Sequence, residues 1–204
     1  MLLSTNKKIE QKIGRLPKGK IIFITDFQTF GSDVAVRQSL NRLVKTNKII
    51  RLTQGIYYNP KVEALLGIIY PSTEQIAEAI ARRDKARIIP TGAFALYKLG
   101  LSTQIPMNVV YLTDGSSRKI HIGKQKITFK KTSPRNLAIR HDLSNLIIQA
   151  IKELGESNIS KQDMQNLKKI ILLSGECKII EKNIRNAVVW VQKYVLQITN
   201  EIEK

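Results

Sequence analysis

The chain has 204 residues, room for one large domain or two small ones, and its 43% hydrophobic content suffices for ordinary packed cores. A formal net charge of +18, from 34 Lys and Arg against 16 Asp and Glu, calls for an anionic partner. Nucleic acid is the simplest candidate and a membrane surface the weaker one. Cys177 is the only cysteine, which excludes a disulfide framework and cysteine-based zinc sites. No run of about 18 apolar residues occurs, and the opening MLLSTNKKIEQK has too short an apolar stretch for a signal peptide, so a cytoplasmic protein with no membrane partner is expected.

In chain order, Ser4 to Arg15 reads as a first helix with Ile9, Ile13 and Leu16 facing inward, broken by Pro17-Lys18-Gly19. Ile21 to Ile24 is a short apolar run able to act as a strand. Thr25, three residues before Gln28, has capping-box spacing and predicts a short helix ended at Phe30-Gly31, where glycine tolerates a left-handed stop. Ser32 or Asp33 then caps a second helix that runs to about Lys45. Its apolar residues Val36, Leu40, Leu43 and Val44 recur at helical spacing and predict one buried face. Arg37, Gln38, Asn41, Arg42 and Lys45 are left outside. Arg, Gln and Asn match base edges and Lys suits phosphates, although the same residues would make an ordinary solvated face.

The residues that follow favour DNA. Ile49 to Leu52 and Ile56 to Tyr58 are β-rich runs around Thr53-Gln54-Gly55, a hairpin signal. A hairpin directly after such a helix predicts a winged helix-turn-helix. Asn59-Pro60 ends it, since proline cannot continue a ladder. Val62 to Ile69 is read as a short apolar helix or linker, and the domain boundary is placed after residue 66.

Ser72 and Gln75 form a second capping-box pair, opening a helix with Ile76, Ala77 and Ile80 buried. Arg87 to Ile89 predicts a strand, and Thr91 caps a helix over Ala93 to Leu99. Met107 to Leu112, Lys119 to Ile122 and Lys126 to Lys130 are strand-like, separated by Asp114-Gly115-Ser116 and Gly123-Lys124, which predicts a small antiparallel meander. Leu143 to Leu154, Lys161 to Leu173 and Glu181 to Ile198 predict helices broken at Gly155 and Gly175. The fold class is α+β: a winged helix-turn-helix domain over 1–66, then an α+β domain over 67–204 with a small antiparallel sheet and a helical tail.

Catalytic chemistry finds little support. His121 and His141 have no second histidine or cysteine at metal-ligand spacing, so neither a metal nor a cofactor is expected. No Asp-x-Asp pair is present to hold two magnesium ions, and no Gly-x-x-x-x-Gly-Lys phosphate loop occurs. Thr91-Gly92 at a helix start could take a phosphate, but a plain helix cap is the preferred reading. Cys177 reads as a small half-buried apolar residue. A second basic region is more prominent. Arg118, Lys119, Lys124, Lys126, Lys130, Lys131 and Arg135 run without an intervening carboxylate and partly alternate with Ile120, Ile122, Ile127 and Phe129. This pattern gives either a solvated edge or a surface for an acidic protein or RNA.

Three segments, VRQSLNRLVKTNKIIRLTQGIYY, IIPTGAFALYKLGLSTQIP and VVYLTDGSSRKIHIGKQKITFKK, together resemble the AbiEi family of bacterial antitoxins, from abortive-infection type IV toxin–antitoxin systems. The resemblance implies an N-terminal winged helix that binds operator DNA and represses its own operon. It also implies a C-terminal domain that counteracts a nucleotidyltransferase-like toxin. On that reading Ser32, Asp33, Arg37, Gln38, Asn41, Arg42, Lys45, Lys48, Arg51 and Gln54 face the DNA, while the seven cations of the second region form a basic surface for a partner or a nucleic acid, and the toxin-facing residues are left open. A non-enzymatic protein is expected, monomeric or weakly dimeric, with dimerisation on DNA left open. An enzyme modifying its toxin or a nucleotide, through Thr91 or Ser116, and an RNA-binding module are the alternatives.

Overall fold

A computed structural model describes residues 3–202 and has α+β architecture. Two compact units divide the chain, one reaching Ala79 and including His121–Gly123, the other formed by Ile80–Ile120 and the residues from Lys124 onward. The boundary expected after residue 66 falls inside a hairpin.

In the first unit, α1 (Thr5–Gly14) is capped by Ser4, whose hydroxyl accepts from the Lys7 amide. Strand β1 (Ile21–Phe23) leads into a three-ten segment, Ile24–Phe30. Thr25 is not its cap. The segment starts one residue earlier, where the Asp26 carboxylate accepts from the Phe23 amide at 2.8 Å. Helix α2 (Asp33–Lys45) follows, capped by Ser32 on the Ala35 amide. Gly31 between them is extended (φ 167°), so no left-handed turn is needed. Its role is room: a Cβ there would come within 2.5 Å of the Thr5 hydroxyl, which donates to the Phe30 carbonyl. Strands β2 (Ile50–Thr53) and β3 (Ile56–Tyr58) form the expected hairpin, turning at Gly55 (φ 74°), with a bulge at Leu52. Strand β1 pairs antiparallel with β3, giving the order β1-β3-β2. Ile9, Ile22, Phe27, Val36, Leu40 and Ile49 fill the core between helices and sheet.

Residues 62–69 are neither helix nor linker. They lie in a second hairpin, β4 (Lys61–Glu63) with β5 (Gly67–Ile69). Short apolar runs cannot be assigned to helix or strand by periodicity alone, and Gly67, at φ 69°, supplies the turn.

Helix α3 (Thr73–Arg83) opens on the expected reciprocal pair, Ser72 with Gln75. The second unit adds β6 (Ile88–Thr91) and α4 (Ala93–Lys98). Thr91 ends the strand and does not cap α4; its hydroxyl donates to the buried Gln149 side chain at 3.1 Å. Strands β7 (Asn108–Thr113), β8 (Arg118–Ile122) and β9 (Gln125–Lys131) are present, but not as a meander. The order is β6-β7-β9-β8, with β6 antiparallel and β9 parallel to β7. Turn residues mark where a strand ends and leave open which neighbour it joins, and the stacked Tyr111 and Phe129 rings hold β7 to β9.

The tail comprises α5 (Asp142–Leu154), α6 (Lys161–Ser174), α7 (Cys177–Ile184) and α8 (Val189–Ile202) around an Ile/Val core. The single helix expected over 181–198 is two, because Ile180 and Ile184 belong to one buried stripe and Val191, Val195 and Ile198 to another. His141 caps α5, its Nδ1 accepting from the Ser144 amide, and Cys177 packs half-buried against this core.

Candidate nucleic-acid interface

Helix α2 is held by what it buries. Val36, Leu40 and Leu43 are sealed in the core, Val44 is partly so, and buried Ser39 returns its hydroxyl to the Ala35 carbonyl at 2.8 Å. The α1 helix braces the segment before it. Lys12 donates to the Asp26 carbonyl at 2.6 Å, and its ammonium sits 5.2 Å and 5.1 Å from the Phe27 and Phe30 ring centres. With one face fixed, the other is determined. At 100° per residue, Arg37, Gln38, Asn41, Arg42 and Lys45 fall within an arc of about 140°, and all five are exposed. Ser32 and Asp33 stand at its N-terminal end, and Arg51 and Gln54 are exposed on the β2–β3 hairpin.

Two details go beyond the expectations from the sequence. Lys48 forms an ion pair with Glu10 of α1, so its ammonium already has a partner within the protein. Val34, two positions before the first buried valine, lies in the middle of the polar arc at 64% exposure. Its only signal in the sequence is its offset from the Val36–Leu40–Leu43 stripe.

The second basic region does not assemble into one face. The Arg118 guanidinium pairs with Asp84 and lies 5.2 Å from the Phe129 ring centre, while Arg83 Nε holds the other Asp84 oxygen at 2.7 Å. Burial, and then the neighbouring Arg83 charge, lowers the Arg118 pKa. Arg118 is thus partnered across 34 residues by a carboxylate outside its own run. Lys119 alternates to the opposite side of β8 from Arg118, and Lys130 and Lys131 are successive on β9 and point to opposite faces. Lys126 is partly buried beside Thr128, which donates to Asn108 at 2.9 Å. Lys124 is exposed in the β8–β9 turn, and the Arg135 side chain lies outside the described residues.

The same unit has a cleft of about 590 Å3 bordered by Arg87, Asp114, Arg140 and Asp142. Its charges balance, and Arg87 is already committed to the Leu137 and Ile139 carbonyls. Among the described residues no group of three or more His, Cys, Asp or Glu could hold a metal, and no helix is long and apolar enough to cross a membrane.

Comparison with curated proteins returns no match. Residues 8–179 match the family described as "Family of unknown function (DUF6088)", and the chain belongs to that family.

Proposed function

We propose that this protein is a DNA-binding antitoxin and autorepressor of the AbiEi type, whose first unit is a winged helix-turn-helix. The observation that carries the reading is the exposed arc of α2, three basic side chains and two amides with no carboxylate among them, on a helix anchored by its opposite face and followed at once by a hairpin. Arg37, Gln38, Asn41 and Arg42 read base edges; Lys45, Arg51 and Gln54 hold the backbone. The chain's net charge of +18 favours encounter with duplex DNA. Antitoxin activity, with a nucleotidyltransferase-like toxin as partner, is supported by the three-segment resemblance alone. The purified protein is expected to retard a fragment of its own promoter in excess unrelated DNA, and to co-purify with the product of an adjacent nucleotidyltransferase-like gene. Equal retardation of any duplex would remove the repressor reading.

Val34 refines the base contacts. On that reading its exposed isopropyl group, which lies among the base-facing side chains, meets a thymine methyl in the major groove. Replacing the contacted thymine by uracil deletes one methyl and is expected to weaken binding about fourfold, the worth of one buried methylene. Val34→Ala should lose that preference. Scanning promoter thymines one by one, with no site sensitive in the wild type, would discard the contact.

A further inference from the structure

The densest exposed apolar surface of the first unit is the β4–β5 hairpin, which the DNA reading leaves unused. Within nine residues Val62, Leu65, Leu66, Ile68 and Tyr70 are 66%, 97%, 71%, 42% and 60% exposed. Together they present on the order of 500 Å2, the size of patch that marks an interaction site on a monomer. The hairpin has three residues per strand and no further strand neighbour among the described residues. A two-stranded ribbon of that size is marginal in water, and its open edge is a template for another strand. At the β5 end the Tyr58 hydroxyl already donates to the Ile69 carbonyl, which leaves β4 as the better edge.

We infer that the occupant is a second copy of this chain, joined by antiparallel pairing of β4 with its symmetry mate about Val62. The charges of β4 match themselves in this register. Lys61 and Glu63 flank Val62 and pair within the strand at 3.0 Å. A two-fold axis at Val62 sets Lys61 opposite the partner's Glu63, and the reverse, while the two valines meet. A one-residue slip would lose both pairs. Antiparallel pairing also carries each hairpin tip past the base of the other. There Pro60 and Val62 border a cleft of about 540 Å3 whose wall holds Ile13 and Leu43 beside Lys18, Asn47 and Asn59, a seat for Leu65 and Leu66 with a polar rim. Two such patches bury about 1,000 Å2, the lower bound of a specific interface, so the dimer is reversible. The inference stands independently of DNA binding.

Sedimentation equilibrium on the full chain tests it. The wild type is expected to dimerise reversibly at micromolar concentration, and Leu65→Glu with Leu66→Glu to be monomeric with an unchanged circular dichroism spectrum. Lys61→Glu alone and Glu63→Lys alone each set like charges opposite one another and should weaken the dimer about tenfold. The double exchange, Lys61→Glu with Glu63→Lys, should restore it. A wild type that stays monomeric at tens of micromolar, a dimer indifferent to the leucine changes, or no rescue by the double exchange would overturn the inference. So would binding of the monomer to phosphatidylcholine–phosphatidylglycerol vesicles that the leucine changes abolish.

Discussion

Raising the salt from 50 to 200 mM is expected to weaken binding to the promoter about a thousandfold, the counterion-release cost of neutralising about six phosphates. Arg37→Ala with Arg42→Ala should act differently, lowering promoter affinity by about 1–3 kcal/mol for each base-reading arginine while leaving most of the affinity for unrelated duplex. Both arginines are exposed on α2, which is anchored through Val36, Leu40 and Leu43, so the substitutions remove contacts without disturbing the core. Lys45→Ala, at the C-terminal end of the same arc, should instead reduce the salt slope by about one and weaken all duplexes alike. Fluorescence anisotropy over a salt series separates the two behaviours. If the double arginine variant kept full affinity and specificity for the promoter, α2 would not be the reading element.

How much of this was legible in the sequence depends on the range of the interaction. Local signals were reliable: Ser72 with Gln75 and the turn at Gly55 do what their spacing predicts, and of the two caps offered for α2 it is Ser32 that serves. Local signals also misled where a competing local bond existed. Thr25 and Gln28 have capping spacing, yet Asp26 captures the Phe23 amide first. Gly31 and Thr91 were marked correctly as special positions but for the wrong cause. One is a close approach to Thr5, the other a strand end bonded to Gln149, and both partners are distant in sequence. Long-range pairings left no trace: β7 beside β9, Arg118 on Asp84, Lys48 on Glu10. Hence the α2 arc was predictable from periodicity, whereas the second basic region, whose geometry depends on strand order, was not.

The proposed interface on α2 rests on the packing of Phe27, and Phe27→Ala is expected to cost about 3–5 kcal/mol, the usual penalty for truncating a buried phenylalanine. The ring is fully buried in the three-ten segment that precedes α2, edge-on to Phe30 at 6.0 Å and covered on one side by the Lys12 ammonium. Alanine there leaves a cavity among Ile9, Ile22 and Leu40 and deprives Lys12 of half its aromatic seat. A loss of that size is a large fraction of the 5–15 kcal/mol that stabilises a typical domain. With a urea slope of about 1–2 kcal/mol per molar for a small unit, the unfolding midpoint should fall by at least about 1.5 M. Phe27→Leu keeps most of the apolar volume and should retain most of the stability. Promoter affinity should follow the folded fraction of the first unit, because the arc on α2 exists only while the opposite face is buried. A shift below about 0.5 M for Phe27→Ala, less than a large-to-small change in a packed core produces, would mean that α2 is positioned by something other than this core.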